Sequence, residues 1–226
     1  MHGSRTGGPG RFFLDDYLSE RDQVEALKKW WVENGKSVIM GILLGLGALF
    51  GWQKWQDHVR SQAESASEVY QDLMVALGNQ DEQKRAGELA DKLIVEHPAS
   101  AYAVFASMAL AHLAVEDEDY ARAADHLRKA LADTDDKNME PLIRMRLATV
   151  LNADGNHQAA LSLLNEKDPG PYAAAYDELR GDINRAMGDT DMARSSYQQA
   201  LEKYRLQQSD TVVLEMKLDS LGSPSL

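Results

Sequence analysis

Two short acidic stretches and six scattered histidines are the residues of this sequence whose types could do chemistry. Asp133-Thr134-Asp135-Asp136-Lys137-Asn138-Met139-Glu140 begins with the alternating oxygen donors of a calcium loop. Its sixth position, however, is Asn138 rather than the glycine a sharp turn needs, and its twelfth is Arg144 rather than an acid. The stretch reads as a loop between helical repeats. Glu116-Asp117-Glu118-Asp119 reads as a solvated turn. No two histidines stand at metal-ligand spacing on one helix. His112 and His126 are expected to face one another within one repeat, in a structural or solvent role. The chain has no cysteine, which excludes thiol chemistry, disulfides and Cys-ligated zinc. No phosphate loop, dinucleotide fingerprint or nucleophile elbow occurs. The expectation is a protein that is not an enzyme, with no cofactor and no metal.

Charge narrows the class further. The chain carries 36 Asp and Glu against 24 Lys and Arg, a net charge of −12. A nucleic-acid partner would demand clustered Lys and Arg, so no nucleic acid is expected. An acidic surface would favour basic partner segments, in a salt-sensitive way.

Against this polar background, Ser37 to Gln53 holds 17 residues without a charge. As a helix they cover roughly 25 Å, a little less than the ~30 Å hydrocarbon core of a bilayer. Lys36 and Lys54 flank the run and can snorkel to the headgroups. All four tryptophans cluster around it, Trp30 and Trp31 before and Trp52 and Trp55 at its end, as interfacial belts do. A buried core helix has no reason to attract both pairs. A cleaved signal peptide fits poorly, because the small residues Ala63, Ser65 and Ala66 lie beyond Lys54, Asp57 and Arg60 rather than directly after the apolar run. The reading is an uncleaved signal anchor in the lipid bilayer. Arg21, Lys28, Lys29 and Lys36 precede the span while only Lys54 and Arg60 follow closely, which places the N-terminus in the cytoplasm and exports the larger part. Gly41 and Gly45, and again Gly47 and Gly51, are four apart, the small-xxx-small spacing that lets membrane helices approach closely. Glycine as tolerated filler is the other reading of those pairs.

Before the span, Asp22 to Asn34 reads as a short amphipathic helix with Val24, Leu27, Trp30 and Trp31 on one side, capped by Asp22 and ended by Asn34-Gly35. Residues before about Arg11, including Gly7-Gly8-Pro9-Gly10, read as an unstructured lead-in.

After the span the periodicity is helical throughout. Val59, Ala63, Ala66, Tyr70, Leu73, Met74 and Leu77 recur at three- and four-residue steps, and neither proline nor glycine interrupts Trp52 to Gly78. The membrane helix is therefore expected to run directly into the exported part. Self-comparison then reveals a repeat. Ala86, Ala123, Ala160 and Ala193 are spaced by 37, 37 and 33 residues. Four residues beyond them stand Ala90, Leu127, Leu164 and Tyr197, and seven beyond stand Leu93, Ala130, Lys167 and Ala200. Leu73-Met74, Leu110-Ala111, Leu147-Ala148 and Arg180-Gly181 occupy the matching slots of the preceding helices. A period in the thirties built of helix pairs resembles tetratricopeptide repeats, with alanine where paired backbones nearly touch. Pro98 fits the proline that ends such a repeat; the later repeats lack it. Val213, Leu214, Lys217, Leu218 and Leu221 in Thr211–Leu221 are expected to form a helix covering the last repeat.

The fold class is thus all-α: a transmembrane helix followed by a tetratricopeptide-repeat-like solenoid of about four helix pairs. Residues 1–36 are expected to form a cytoplasmic segment, 37–56 the signal anchor and 57–226 the exported repeat domain with its covering helix, periplasmic if the cell is Gram-negative.

Tyr17-Leu-Ser-Glu-Arg-Asp-Gln-Val-Glu-Ala-Leu-Lys-Lys-Trp-Trp-Val-Glu-Asn-Gly-Lys36, the glycine-rich span, Gly51-Trp-Gln-Lys-Trp55 and the closing Glu215-Met-Lys-Leu218 together resemble the YfgM family of ancillary SecYEG translocon subunits. The resemblance covers nearly the whole chain after about Tyr17 and not the first dozen residues. It implies a bacterial inner-membrane protein bound to SecYEG and to a PpiD-like membrane-anchored periplasmic chaperone, assisting newly exported client proteins as they leave the translocon. It carries no catalytic residues. Two other classes remain: an anchored hydrolase with a dispersed site, which no motif supports, and an N-anchored repeat receptor or assembly factor of another membrane complex. The cytosol-facing form of the latter requires the opposite topology.

Overall fold

The computed structural model describes residues 11–165 and 169–222, with side chains from residue 22 onward. The lead-in before Arg11 and the repeat position Lys167 lie outside the described residues. Among the described residues there are nine α-helices and no strand: α1 Arg11–Leu77, α2 Gln83–Glu96, α3 Ala101–Glu116, α4 Tyr120–Asp133, α5 Glu140–Ala153, α6 His157–Asn165, α7 Ala173–Ala186, α8 Thr190–Leu206 and α9 Val212–Ser220. The chain divides into two compact units, Met1–Ser61 and Gln62–Leu226.

Helix α1 runs for 67 residues without a break. The short helix expected to begin at Asp22 and stop at Asn34-Gly35 is therefore part of a longer one, and neither end is capped as its sequence suggested. Glycine stops a helix when it takes up a positive φ, and Gly35 is not among the positive-φ glycines. It stays helical under the Trp31 indole, 3.4 Å from where a Cβ would stand. Asn34 turns its amide back to donate to the Trp30 carbonyl at 3.1 Å, bonding one turn back within the helix it was expected to end.

In the second unit the helices pair in sequence order. The end of α1 packs on α2 and α3 through Ala66, Val69, Leu73 and Ala76, against Ala86, Ala90 and Leu93. This buried face begins at Ala66; Val59 and Ala63 are exposed, while Val69 and Ala76 belong to it. A second buried cluster joins α3 to α7, and a third joins α8 to α9. Four pairs result, α1–α2, α3–α4, α5–α6 and α7–α8, which is the all-α repeat architecture expected from the period.

Turn chemistry repeats as well. Glu118, Gly155 and Gly188, spaced like the repeats, adopt φ of 59°, 78° and 82°. The next residue in each turn donates its N–H five residues back: Asp119 to Ala114, Asn156 to Leu151 and Asp189 to Asn184, at 2.8–2.9 Å. Such a left-handed residue satisfies the last carbonyls of the first helix. Asp119 and Asp189 then cap the second helix, accepting from the N–H of Arg122 and Met192. The acidic turn 116–119 is thus a helix stop and a helix start. The stretch from Asp133 to Glu140 links α4 to α5, and Asp136 accepts from the Asn138 N–H at 2.9 Å. Helix α2 ends at Glu96, just before Pro98.

Candidate interaction sites

The four repeat alanines, Ala86, Ala123, Ala160 and Ala193, are each 0% exposed. Their partners four residues on, Ala90, Leu127, Leu164 and Tyr197, are buried with them, as are Leu93, Ala130 and Ala200. These residues build the solenoid and are not available to a partner. In the last pair the contact is closest. A Cβ added to Gly181 on α7 would stand 2.3 Å from Cδ1 and 2.4 Å from Cε1 of Tyr197 on α8. The preceding repeats hold Ala111 with Leu127 and Ala148 with Leu164, so the smaller residue accompanies the larger ring.

That ring also anchors a polar network. Tyr197 donates to Asp182 at 2.8 Å and Tyr204 to Glu178 at 3.0 Å. Lys217 of α9 reaches both carboxylates at 2.8 Å. Buried Asp177 is satisfied by Arg180 and Lys203. Burial and then the Asp182 hydrogen bond push the Tyr197 hydroxyl well up. Burial and then the Glu178 charge push Tyr204 up to about 12. For Lys217, burial acts downward but the bonds and charges of Asp182 and Glu178 outweigh it, so its pKa is raised. Helix α9 and the Leu221 that follows it cover α8, with Leu214, Leu218 and Leu221 against Ala193, Tyr197 and Ala200. Val213, expected on that face, is 64% exposed instead, one helical step of 100° away from Leu214.

Two surfaces stay open to partners. The first is the apolar stretch of α1, the one helix among the described residues long and apolar enough to cross a membrane. Its large side chains, Ile39, Ile42, Leu43, Leu46 and Phe50 among them, are exposed, unlike those of a soluble core helix. Trp30, Trp31, Trp52 and Trp55 are exposed at its two ends, with the Trp52 and Trp55 rings 5.2 Å apart, and Lys36 and Lys54 are exposed beside them. Nothing lies within 4 Å of a Cβ added at Gly41, Gly45, Gly47 or Gly51. Their missing side chains accommodate no neighbour among the described residues.

The second surface is a groove of 640 Å³ in the repeat unit. Helix α1 lines it with Tyr70, Met74 and Leu77, α3 with Phe105, Met108, His112 and Val115, and α5 with Leu142, Arg146 and Val150. Tyr70 and Phe105 meet with ring centroids 5.7 Å apart. The sequence reading singled out none of these as a site. The signal was present in the period: Phe105 and Leu142, Ala109 and Arg146, and His112 and Thr149 are each 37 apart, on first-helix positions the alanine ridge leaves unused.

His112 pairs with Glu116 at 3.5 Å on its own helix. His126 lies among Arg122, Asp91, Asp125 and Asp119, and burial followed by the Arg122 charge lowers its pKa. Among the described residues no three His, Cys, Asp or Glu gather to hold a metal ion.

An exposed apolar span joined to stacked helix pairs with an open groove defines a helical-repeat protein built for binding. The chain belongs to the tetratricopeptide repeat-like domain family, which it matches over residues 28–223, and within it to the ancillary SecYEG translocon subunits. The protein of that name from Haemophilus influenzae is 34% identical over 204 residues, 90% of this chain and 98% of the relative. The one from Escherichia coli K12 is 34% identical over 209 residues, 92% of this chain and 100% of the relative. That from Neisseria gonorrhoeae is 27% identical over 205 residues, 91% and 98%.

Proposed function

We propose that this chain is a membrane-anchored, non-catalytic scaffold of the SecYEG translocon. The observation that carries the reading is end-to-end similarity to relatives named ancillary SecYEG translocon subunits, which spans the apolar helix and the repeats alike. Residues 37–56 cross the inner membrane, residues 1–36 stay in the cytoplasm, and residues 57–226 form the periplasmic domain. The excess of Lys and Arg before the span supports that orientation. Gly41, Gly45, Gly47 and Gly51 receive a membrane-embedded helix of a translocon partner, since close approach is what their spacing permits. The repeat groove receives a PpiD-like chaperone or an emerging client chain. Anchoring beside SecYEG raises the effective concentration of such partners, so contacts that are weak individually suffice.

Topology is tested with single cysteines in the cysteine-free chain. One replacing Ser220, exposed at the end of α9, reacts with an impermeant thiol reagent in spheroplasts. One replacing Ser19 reacts only after lysis. The reverse pattern would remove the periplasmic assignment.

A further inference from the structure

The groove is largely apolar, with His112 on its α3 wall and Thr149 on its α5 wall, and Arg146 is the one Arg, Lys, Asp or Glu among its described lining residues. Arg146 projects from the middle of its α5 side and is exposed. Its neighbours three and four residues away on α5 are Leu142, Ile143, Thr149 and Val150, none of them acidic. Across the groove the acid following His112 on its helix face is Glu116, which accepts from Gln83 at 2.7 Å and pairs with His112. Arg122, Arg128 and Arg205 each reach a carboxylate at 2.6–3.0 Å. The Arg146 side chain has no hydrogen bond or ion pair among the described residues. In a chain of net charge −12, an arginine left unpaired on the wall of an apolar groove is a local reversal of the field. A guanidinium offers planar, forked donors that suit a carboxylate.

We propose that the groove takes an acidic amphipathic protein segment, whose large apolar side chains fill the space between Met74, Phe105 and Met108 and whose single Asp or Glu pairs with Arg146. The proposal rests on the groove being a docking site and adds the sign of the partner. That sign is opposite to what the net charge of the domain suggests. Recognition would then have two parts. Apolar burial supplies adhesion to many segments, and Arg146 rejects those that place Lys or Arg over it.

The test uses the full chain in lipid nanodiscs and a displayed library of random 16-residue segments. Wild type is expected to select apolar segments enriched in Asp and Glu, and Arg146→Glu to select segments enriched in Lys and Arg. Changing the selected acid to its amide should weaken binding to wild type roughly fivefold, the upper range for an exposed ion pair, and leave binding to Arg146→Met unchanged. Because Arg146 is exposed, both variants should melt as wild type does. Selected segments without acidic bias, or an amide that binds equally well, would overturn the carboxylate assignment while leaving the groove a docking site. Selected segments that bind Met74→Glu, altered at an exposed groove residue, as well as they bind wild type would overturn the groove reading itself. So would a library that yields no binder.

Discussion

Replacing Gly181 by alanine should destabilise the repeat domain, although alanine favours helix. The added methyl carbon would stand 2.3 Å from the Tyr197 ring, where carbon atoms normally keep ~3.5–4.0 Å. The ring must therefore move by more than ~1 Å. Tyr197 is fully buried, and its hydroxyl is held by Asp182, which Lys217 holds in turn. Overpacking of this kind costs ~1–3 kcal/mol, and losing the half-buried hydroxyl bond adds ~1–2 kcal/mol. The gain in helix propensity returns about 1 kcal/mol. The net loss is about 1–4 kcal/mol, or roughly 2–16 °C in melting temperature for a domain of this size. Circular dichroism of the full chain in mild detergent reads it. Gly87→Ala in α2 is the control, because nothing lies within 4 Å of its Cβ position; it should raise the melting temperature by roughly 2–4 °C. The double variant Gly181→Ala with Tyr197→Leu recreates the Ala–Leu pairing of the two preceding repeats. A double-mutant cycle should therefore show a favourable coupling of at least ~1 kcal/mol. If Gly181→Ala melts no lower than wild type, or the double variant melts below both singles, the account of the last repeat's contact is wrong.

Ala123→Leu or Ala160→Leu should each cost roughly 1–3 kcal/mol through overpacking, and an unchanged melting temperature in both would mean the helix contacts are misassigned. Gly155→Ala should cost about 1–2 kcal/mol, because its φ of 78° lies in the left-handed region that penalises a side chain; thermal melting checks it. Stability should hold up to about pH 10 and fall above it. The folded state raises the pKa of Lys217, Tyr197 and Tyr204, the last to about 12. Their contribution is thus full below the unfolded values and disappears as pH climbs through the folded ones. Lys217→Met should flatten that alkaline limb in a pH series of melts, and an unaltered limb would refute the role of the α9 network.

The repeat was legible in the sequence because its most constrained positions tolerate one size of residue. Ala86, Ala123, Ala160 and Ala193 recur where backbones nearly touch, and burial follows the period through Leu127, Leu164 and Tyr197. The left-handed turn residues recur at the same spacing, with Glu118 standing where Gly155 and Gly188 stand. Sequence rules failed at Asn34-Gly35, where helix-stop residues lie inside a continuous helix. A glycine costs a helix interior only about 1 kcal/mol, which the long flanking segments of α1 outweigh. Val213 was assigned to the wrong face because a nine-residue helix of mostly apolar residues has no polar stripe to orient it. The groove was hidden for a different reason. Its residues are ordinary apolar side chains, and only the stacking of α1, α3 and α5 shows that they line one space.

The central claim is tested most directly by photo-crosslinking in living cells, with the reactive amino acid placed once at Leu44 in the span and once at Phe105 in the groove. The account predicts a SecYEG subunit captured from Leu44 and a periplasmic chaperone or an exported chain captured from Phe105. Reproducible capture of one unrelated complex from both positions, with no translocon component above background, would contradict it.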